Sequence, residues 1–342
     1  MNIPLENQSL DLLTLNESSH SEYTIDFVPK TFEDYLGQKE LKEKLYIYTQ
    51  AAKLRQEPLD HLLLFGPPGL GKTTLATIMA YVMEVNIKII SGPMLERTGD
   101  LVAILSGLSS RDILFIDEIH RLPITVEEVL YTAMEQFRID VIIGQGIGAK
   151  SVNLPINPFT LIGATTKSGS ISAPLHSRFG ITERLDFYSD EELSIIVSKS
   201  AEFLGIELAQ EGALQIAKRA RGTPRIAKKI VRRVRDFAQI NNKNKATKEL
   251  VDQALTFLGL DNEGLTKFDI LLLKKLTLNF HGGPVGLDTL ASMVGEDKDT
   301  IETVYEPFLM RKGYLERTPR GRKIPGPILS QLQRKFLGQE TI

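Results

Sequence analysis

The sequence predicts an α/β protein: a parallel sheet covered by helices and carrying an inserted β-hairpin, then an all-helical unit, then a C-terminal winged helix. Three observations favour this fold class. Short apolar runs alternate with helical ones in the first half of the chain, only helical periodicity is found from 190 to about 259, and strand-like runs flank a Gly/Pro-rich basic tip at 318–321.

The composition excludes several functional classes. The chain of 342 residues is long enough for two or three domains. It has no cysteine, which excludes disulfides, Cys-zinc sites and thiol catalysis, and its five histidines show no metal-ligand spacing. A net charge of −2 excludes a globally basic nucleic-acid binder. We expect a cytoplasmic protein without a membrane association, because no apolar run could span a bilayer and no secretory signal is visible.

Four segments are expected along the chain. Residues 1–25 are polar and predict a flexible N-terminal extension. Residues 26–187 are expected to form the sheet domain, 188–259 a helical lid, and 260–342 the winged helix.

The elements of the sheet domain follow from its apolar pattern. Leu41, Leu45, Tyr48 and Ala52 recur at helical spacing and predict an amphipathic helix before Pro58. Four apolar strands are predicted, at 61–65, 85–90, 113–116 and 159–164.

Residues 140–154 depart from this alternation. Two strand-like runs surround a Gly-rich turn, which predicts the inserted β-hairpin. Its apolar residues include Ile147, Val152 and Leu154, and exposed apolar hairpins are normally avoided unless something covers them. The pattern leaves open whether a partner or the chain's own domain provides the cover.

A phosphate-binding loop follows the first strand and precedes a helix, in the motif G-x-x-x-x-G-K-[ST]. Gly66 and Gly71 are the motif glycines, and Gly69 also permits the tight turn that points N–H groups at phosphate oxygens. Lys72 is expected to reach the β- and γ-phosphates, and the Thr73 hydroxyl to bind Mg²⁺.

An acidic pair follows a second apolar strand. Asp117 and Glu118 are expected to emerge beside the phosphate loop, with Asp117 on the Mg²⁺ side and Glu118 orienting the attacking water. Thr165 and Thr166 end another strand, where they could contact the γ-phosphate. By spacing alone these threonines could equally well form an ordinary turn.

Basic residues suggest two further surfaces. Residues 218–235 contain no acid, and the pattern leaves open whether they form a solvated face or a functional one. Arg317, Arg320 and Arg322 lie on a Gly/Pro turn, from which they could contact DNA phosphates without reading bases.

Several segments together resemble the RuvB family of AAA+ ATPases, from about Asp26 to about Arg322. The phosphate loop and acidic pair occur widely, but the last three segments are specific in this order and spacing. The segments are Gly66–Thr74, Leu114–Leu122, Gly163–Thr166, Arg219–Arg225, His281–Leu287 and Arg317–Arg322.

The resemblance implies an ATP- and Mg²⁺-dependent motor that drives Holliday junction branch migration in DNA recombination and repair. It implies a homohexameric ring that pumps the duplex arms of the junction through sequence-independent backbone contacts. RuvA would dock on the 140–154 hairpin, and RuvC would join as the resolvase.

The resemblance also implies site residues. Arg178 matches an arginine finger that acts in trans on a neighbour's site, Arg225 a sensor arginine of the lid, and Lys298 a DNA-contact position. Thr165 and Thr166 match the first sensor. The implied ATP contacts are Phe27, Val28, Gly66, Gly69, Leu70, Gly71, Lys72, Thr73, Thr74, Glu135, Gln136, Phe137, Arg178, Tyr188 and Arg225.

Two positions depart from the family pattern, and two other functions stay open. Val28 and His176 stand where the family usually has arginine, which puts an adenine-side contact and the subunit interface in question. A clamp-loader subunit would share the nucleotide motifs. A nucleotide-gated DNA-binding regulator would use its winged helix to read sequence.

Overall fold

The computed structural model describes residues 26–143, 150–241 and 244–337. The predicted extension at 1–25 and the hairpin tip, which includes Ile147, lie outside the described residues.

Five parallel strands form the central sheet, in the order β2-β3-β6-β1-β7. The strands are β1 Leu62–Phe65, β2 Ile87–Ser91, β3 Ile113–Asp117, β6 Thr160–Thr165 and β7 Ile181–Arg184. Because all strands are parallel, the carboxyl ends of β1, β3 and β6 meet at one edge of the sheet. The predicted parallel sheet is confirmed, but β7 was not predicted, since its alternation of half-buried and exposed residues is that of an edge strand.

Helices cover both faces of this sheet. They are α1 Lys39–Arg55, α2 Lys72–Met83, α3 Thr98–Ser106, α4 Ile124–Gln136 and α5 Ala173–His176. Alternate residues of β3 point to opposite faces, so Ile113 and Phe115 join the core under α1 and α2, while Leu114 and Ile116 join the core under α3 and α4.

The first helix has a core face that differs by one residue from the predicted one. Leu41, Leu45 and Ala52 are buried as expected, but Thr49 occupies the fourth core position and Tyr48 is 38% exposed. The threonine is tolerated there because its hydroxyl donates a hydrogen bond to the carbonyl oxygen of Leu45.

The inserted hairpin is present, with β4 Arg138–Ile143 antiparallel to β5 Lys150–Pro155. The lid follows as four helices, with one short parallel pair of strands that the sequence did not predict. Its elements are α6 Asp190–Phe203, β8 Glu207–Leu208, α7 Gln210–Arg219, α8 Pro224–Asn241, β9 Lys245–Ala246 and α9 Lys248–Phe257.

The C-terminal winged helix has its own apolar core. Its helices are α10 Lys267–Phe280, α11 Leu287–Val294, α12 Lys298–Thr300, α13 Glu306–Arg311 and α14 Gly326–Leu337, and its wing is β10 Glu316–Thr318 with β11 Gly321–Lys323. A π-helical turn at Ile301–Tyr305 joins α12 to α13. The lid core, in contrast, is continuous with the core on the α1 and α2 side of the sheet.

Candidate functional site

A cavity of about 300 Å³ lies between the carboxyl edge of the sheet and the lid. Its size is at the lower end of the range of roughly 300–1,000 Å³ typical of small-molecule sites. The predicted site residues that line it are Phe27, Gly69, Leu70, Gly71, Lys72, Thr73, Thr74, Asp117, Glu118, Thr166, Tyr188 and Arg225. The sheet domain and the lid therefore both contribute to one pocket.

The phosphate loop connects β1 to α2, and its glycines are required by conformation and by close packing. Gly69 and Gly71 have φ of 80° and 101°, in the left-handed region. A Cβ at Gly69 would lie 2.8 Å from side-chain atoms of Thr223 and Arg225. The lid thus rests directly on the loop, and only glycine allows this approach.

Lys72 is buried, and its ammonium lies within the loop. Its Nζ donates to the carbonyl oxygens of Gly66 at 2.7 Å and Pro67 at 3.0 Å. Gly66 does not line the cavity, and it contributes to the site by accepting this hydrogen bond from Lys72. Burial lowers the pKa of Lys72 to about 8, against the opposing negative charges of Asp117 and Glu118.

This lowered pKa predicts a pH dependence of ATP affinity. Phosphates raise the pKa of Lys72 when they bind, so the full Lys72 contribution is present below about pH 8 and is lost progressively as pH rises from that value towards the higher pKa of the bound state. We expect the Kd of a non-hydrolysable ATP analogue to rise between pH 7 and pH 9, by up to about tenfold per pH unit above the lowered pKa. A Kd that is constant over this range, in protein whose circular dichroism is unchanged, would contradict the assignment.

The acidic pair stands at the end of β3. Glu118 has φ of 52°, which is uncommon for a residue other than glycine, and its backbone N–H donates to Asp117 Oδ1 at 3.0 Å. Thr73 lines the same cavity as this pair. A hydroxyl and a carboxylate fit Mg²⁺, which takes few protein ligands and completes its shell with phosphate oxygens and water. No group of three or more His, Asp or Glu suited to a metal occurs among the described residues.

The two strand-end threonines have different environments. Thr166 lines the cavity, whereas Thr165 is fully buried and does not. Thr165 Oγ1 lies 2.9 Å from His120 Nδ1 and accepts from the backbone N–H of Lys167 at 3.0 Å. Of the two, Thr166 is therefore the threonine that faces the cavity.

The lid contributes more than the predicted arginine. Arg225 lines the cavity, and its backbone N–H donates to the Gly69 carbonyl oxygen at 3.3 Å. Lys228 and Arg232 also line the cavity, although within residues 218–235 the family resemblance assigned only Arg225 to the nucleotide. These three recur at helical spacing on one face of α8, which is the signal that could have identified them.

The N-terminal segment at 26–29 lies over the cavity and is held by the lid. The Lys228 ammonium donates to the Phe27 carbonyl oxygen, and Arg232 lies 3.4 Å from Asp26. Phe27 lines the cavity, but Val28 does not and is 47% exposed. Val28 therefore does not face the cavity of its own chain, and two lid cations lie beside this segment.

Two tyrosine hydroxyls hold the phosphate loop in place through the Leu70 carbonyl oxygen. Tyr35, which the sequence did not identify, donates to the Leu70 carbonyl oxygen at 3.2 Å, and Tyr188 donates to Tyr35 Oη at 3.0 Å. Burial raises the pKa of Tyr188 to about 12, so its hydroxyl stays neutral.

Besides Gly66 and Val28, four implied ATP contacts lie outside the cavity of the described chain. Arg178 is within 3.2 Å of Glu135, donates to the Pro174 carbonyl oxygen at 2.7 Å, and stacks on the Tyr131 ring. Phe137 packs against Phe159 in the core. The other two contacts, Glu135 and Gln136, are exposed.

Family models match almost the whole described chain. The model of the Holliday junction DNA helicase RuvB P-loop domain matches residues 27–185, the RuvB AAA lid domain 188–261, and the RuvB C-terminal winged helix domain 262–327. The chain belongs to the RuvB family.

Individual relatives agree with this assignment. A Holliday junction branch migration complex subunit RuvB of Staphylococcus aureus (strain JH9) is 53% identical over 312 residues, which cover 90% of this chain and 93% of the relative. The structure of the Thermotoga maritima RuvB Holliday junction branch migration motor superposes with a TM-score of 0.81 at 46% identity, covering 89% of this chain and 97% of that one. A mutant of that protein gives a TM-score of 0.83 at 46% identity, with 90% and 99% coverage. The predicted family and fold class are confirmed, and a RuvB P-loop domain implies nucleotide binding.

The RuvB winged helix shows what surrounds the predicted DNA contacts. Arg322 is only 14% exposed, and its Nε donates to Glu306 Oε1 at 2.7 Å, while Arg317 Nε donates to Glu306 Oε2 at 2.7 Å. Glu306 is fully buried. Arg320 is exposed at the tip of the wing, and Lys298 pairs with Asp288.

These ion pairs determine which of the three wing arginines remain accessible to DNA. Arg322 is committed to holding the wing on α13, whereas Arg317 is 46% exposed and Arg320 is exposed. On the hairpin, Val152 and Leu154 are 44% and 38% exposed, so the described residues cover neither side chain completely. No helix of the described residues is long and apolar enough to cross a membrane.

Proposed function

We propose that this chain is the ATP-hydrolysing motor subunit of a Holliday junction branch migration complex, acting on DNA in recombination and repair. The observation that carries the proposal is one short segment of the lid, residues 219–225, which touches both the nucleotide cavity and the DNA-binding domain. A cytoplasmic location remains a prediction.

Residues 219–225 contact the winged helix through the side chain of Arg221. The Arg221 guanidinium pairs with buried Asp269, donates to the Gly264 carbonyl oxygen at 3.1 Å, and lies 4.5 Å from the centre of the Phe308 ring. Four residues later, Arg225 lines the cavity. The winged helix and the sensor arginine are therefore fixed to the same stretch of backbone.

A second contact supports this linkage. Arg311, at the end of α13, stacks on Phe187 at 4.7 Å and packs so closely on Gly222 that a side chain there would collide with it. The Gly222 carbonyl oxygen accepts from the Tyr188 backbone N–H at 3.0 Å. A change at the γ-phosphate that moves Arg225 would thus be passed to the DNA-binding domain as a rigid-body movement.

The chemistry would be phosphoryl transfer to water. Thr73 and Asp117 would hold Mg²⁺, which would neutralise phosphate charge. Lys72 would bind the β- and γ-phosphates, Glu118 would orient the water, and Thr166 would contact the γ-phosphate.

The site would be completed by a neighbouring subunit in a homohexameric ring. Arg178 lies outside the cavity of its own chain, on the α4–α5 surface beside exposed Glu135 and Gln136. This surface would face the next subunit's cavity, so that the arginine finger, Glu135 and Gln136 act there in trans. Phe137 would support the surface from within the core.

The partners would occupy two other surfaces. The exposed Val152 and Leu154 support docking of RuvA on the hairpin, with Ile147 at its undescribed tip, and RuvC would join the assembled complex. The wing would follow the duplex arms through backbone contacts, which suits a motor that must move over any sequence.

The test is ATP hydrolysis and strand separation on a synthetic four-way junction, with and without the junction-binding partner. The proposal expects junction-stimulated ATPase activity that does not depend on sequence. Stimulation by a ring clamp instead would favour a clamp-loader subunit. A base-specific footprint with slow hydrolysis would favour the nucleotide-gated regulator.

The wing predicts a specific salt dependence. Arg320→Ala should weaken duplex binding about equally for all sequences and lower the slope of log K against log salt by about one phosphate contact, because Arg320 is exposed at the tip. Arg334→Ala, an exposed arginine on α14, is the control and should leave the slope unchanged. A loss of binding for some sequences only would contradict backbone recognition.

A further inference from the structure

His120 lies next to the proposed catalytic centre, although the proposed function assigns it no role. It belongs to a single helical turn, Ile119–Arg121, that begins directly after Glu118. Its side chain is 10% exposed. A buried imidazole is often a packing residue, so its contacts decide whether it does more.

Both ring nitrogens of His120 face groups of the site. Nδ1 lies 2.9 Å from Thr165 Oγ1, and Nε2 lies 3.4 Å from Glu118 Oε2. If the Thr165 hydroxyl donates to Nδ1, the ring proton is on Nε2, the nitrogen that lies near the Glu118 carboxylate. The ring thus bridges the buried end of β6 and the proposed water-orienting carboxylate.

The Glu118 carboxylate has little other support. Within the described part of the chain, His120 is the one side chain recorded within ion-pair distance of it. The Glu118 backbone is in the left-handed region, so its side chain leaves the strand at an unusual angle. A carboxylate that must orient a water needs a fixed rotamer, which a neighbouring hydrogen bond can provide.

We propose that His120 is a positioning residue that holds the Glu118 carboxylate in its working orientation, through a bridge anchored on Thr165. The bridge also gives buried Thr165 a role, since it does not line the cavity itself. Thr166, the next residue, does line the cavity, so a shift of the β6 end on γ-phosphate contact would reach Glu118 through the ring. This inference rests on the proposed function, because it takes Glu118 as the residue that orients water.

The test compares ATP hydrolysis by full-length variants. His120→Phe keeps an aromatic ring at this position and removes both ring nitrogens, and we expect kcat to fall by about 10²-fold, the scale of an ångström-level misplacement, while KM changes little. His120→Gln, whose amide can still donate to Glu118, should regain much of the loss. A packing role alone predicts that Phe is better tolerated than Gln.

Two further variants test the bridge itself. Thr165→Val removes the anchor without touching His120, so it should lower kcat, and its combination with His120→Phe should be no worse than His120→Phe alone. In a Glu118→Gln background, His120→Phe should have no further effect. Binding of a non-hydrolysable ATP analogue verifies that each variant is folded.

The outcomes separate this inference from the proposed function. An inactive Glu118→Gln with a fully active His120→Phe and Thr165→Val would overturn the role of His120 and leave the catalytic assignment intact. A Glu118→Gln protein that hydrolyses ATP at the wild-type rate would remove the catalytic assignment and, with it, this inference. If His120→Phe lowered kcat by the same factor in the Glu118→Gln background as in the wild type, the ring would act on a group other than Glu118.

Discussion

Arg178→Ala is expected to reduce steady-state ATP hydrolysis by roughly 10³–10⁵-fold, the effect typical of an arginine finger. The side chain lies outside its own chain's cavity, paired with Glu135 and stacked on Tyr131. Its removal should therefore leave ATP binding by the single chain nearly unchanged. Loss of turnover with retained affinity is the combination that a residue acting in trans requires.

The control for Arg178→Ala is another arginine of the same domain. Arg184 is the last residue of the edge strand β7, is 65% exposed and pairs with Asp186. Arg184→Ala should retain most of the activity. If Arg178→Ala instead weakened nucleotide binding by the isolated chain and left turnover intact, the finger assignment would be wrong.

Glu118→Gln is expected to lower kcat by about 10²–10⁴-fold, the range for loss of a positioned proton-transfer or water-orienting group. The substitution keeps the size of the side chain and removes its charge, so the cavity shape and the Lys72 contacts should survive. ATP binding should be retained, because the phosphate loop and Arg225 supply it.

The control for Glu118→Gln is the same change at Glu128, which is exposed on α4. Glu128→Gln should hydrolyse ATP normally. Turnover by Glu118→Gln at a rate close to that of the control would exclude Glu118 from the chemistry.

The sequence predicted most of the residues that line the cavity on the sheet side, because the motifs that contain them are local. The phosphate loop, Asp117 and Glu118 each follow directly from a strand, and a parallel sheet brings such strand ends to one edge. What the sequence missed depends on the tertiary structure. Tyr35 reaches Leu70 across 35 residues, and only the fold shows that contact.

For individual threonines and arginines, too, the sequence did not predict the surroundings of the side chain. Thr165 and Thr166 are alike in sequence, but Thr165 is the buried last residue of β6, whereas Thr166 follows the strand and lines the cavity. The sequence does not show that Arg317 and Arg322 are paired, because their shared partner Glu306 lies on another element, 11 and 16 residues earlier in the chain. A charge pattern does not reveal which cations are already paired.

The α8 face and the edge strand were missed for different reasons. Lys228 and Arg232 recur with Arg225 at helical spacing, but a basic amphipathic helix has the same pattern whether it faces solvent or a pocket. The alternating run Ile181–Arg184 is too short and too polar to be distinguished from a loop before its neighbour β1 is known.

The central claim is that two adjacent subunits build each hydrolytic site, and co-assembly of two inactive variants tests it most directly. Glu118→Gln keeps the finger, and Arg178→Ala keeps the catalytic carboxylate. With a different affinity tag on each, tandem purification yields assemblies that contain both. In a head-to-tail ring of equal, random composition, about a quarter of the interfaces would join an intact Glu118 to an intact Arg178. The account predicts junction-stimulated ATP hydrolysis at about that share of the wild-type rate, whereas a rate no higher than the sum of the two variants alone would contradict it.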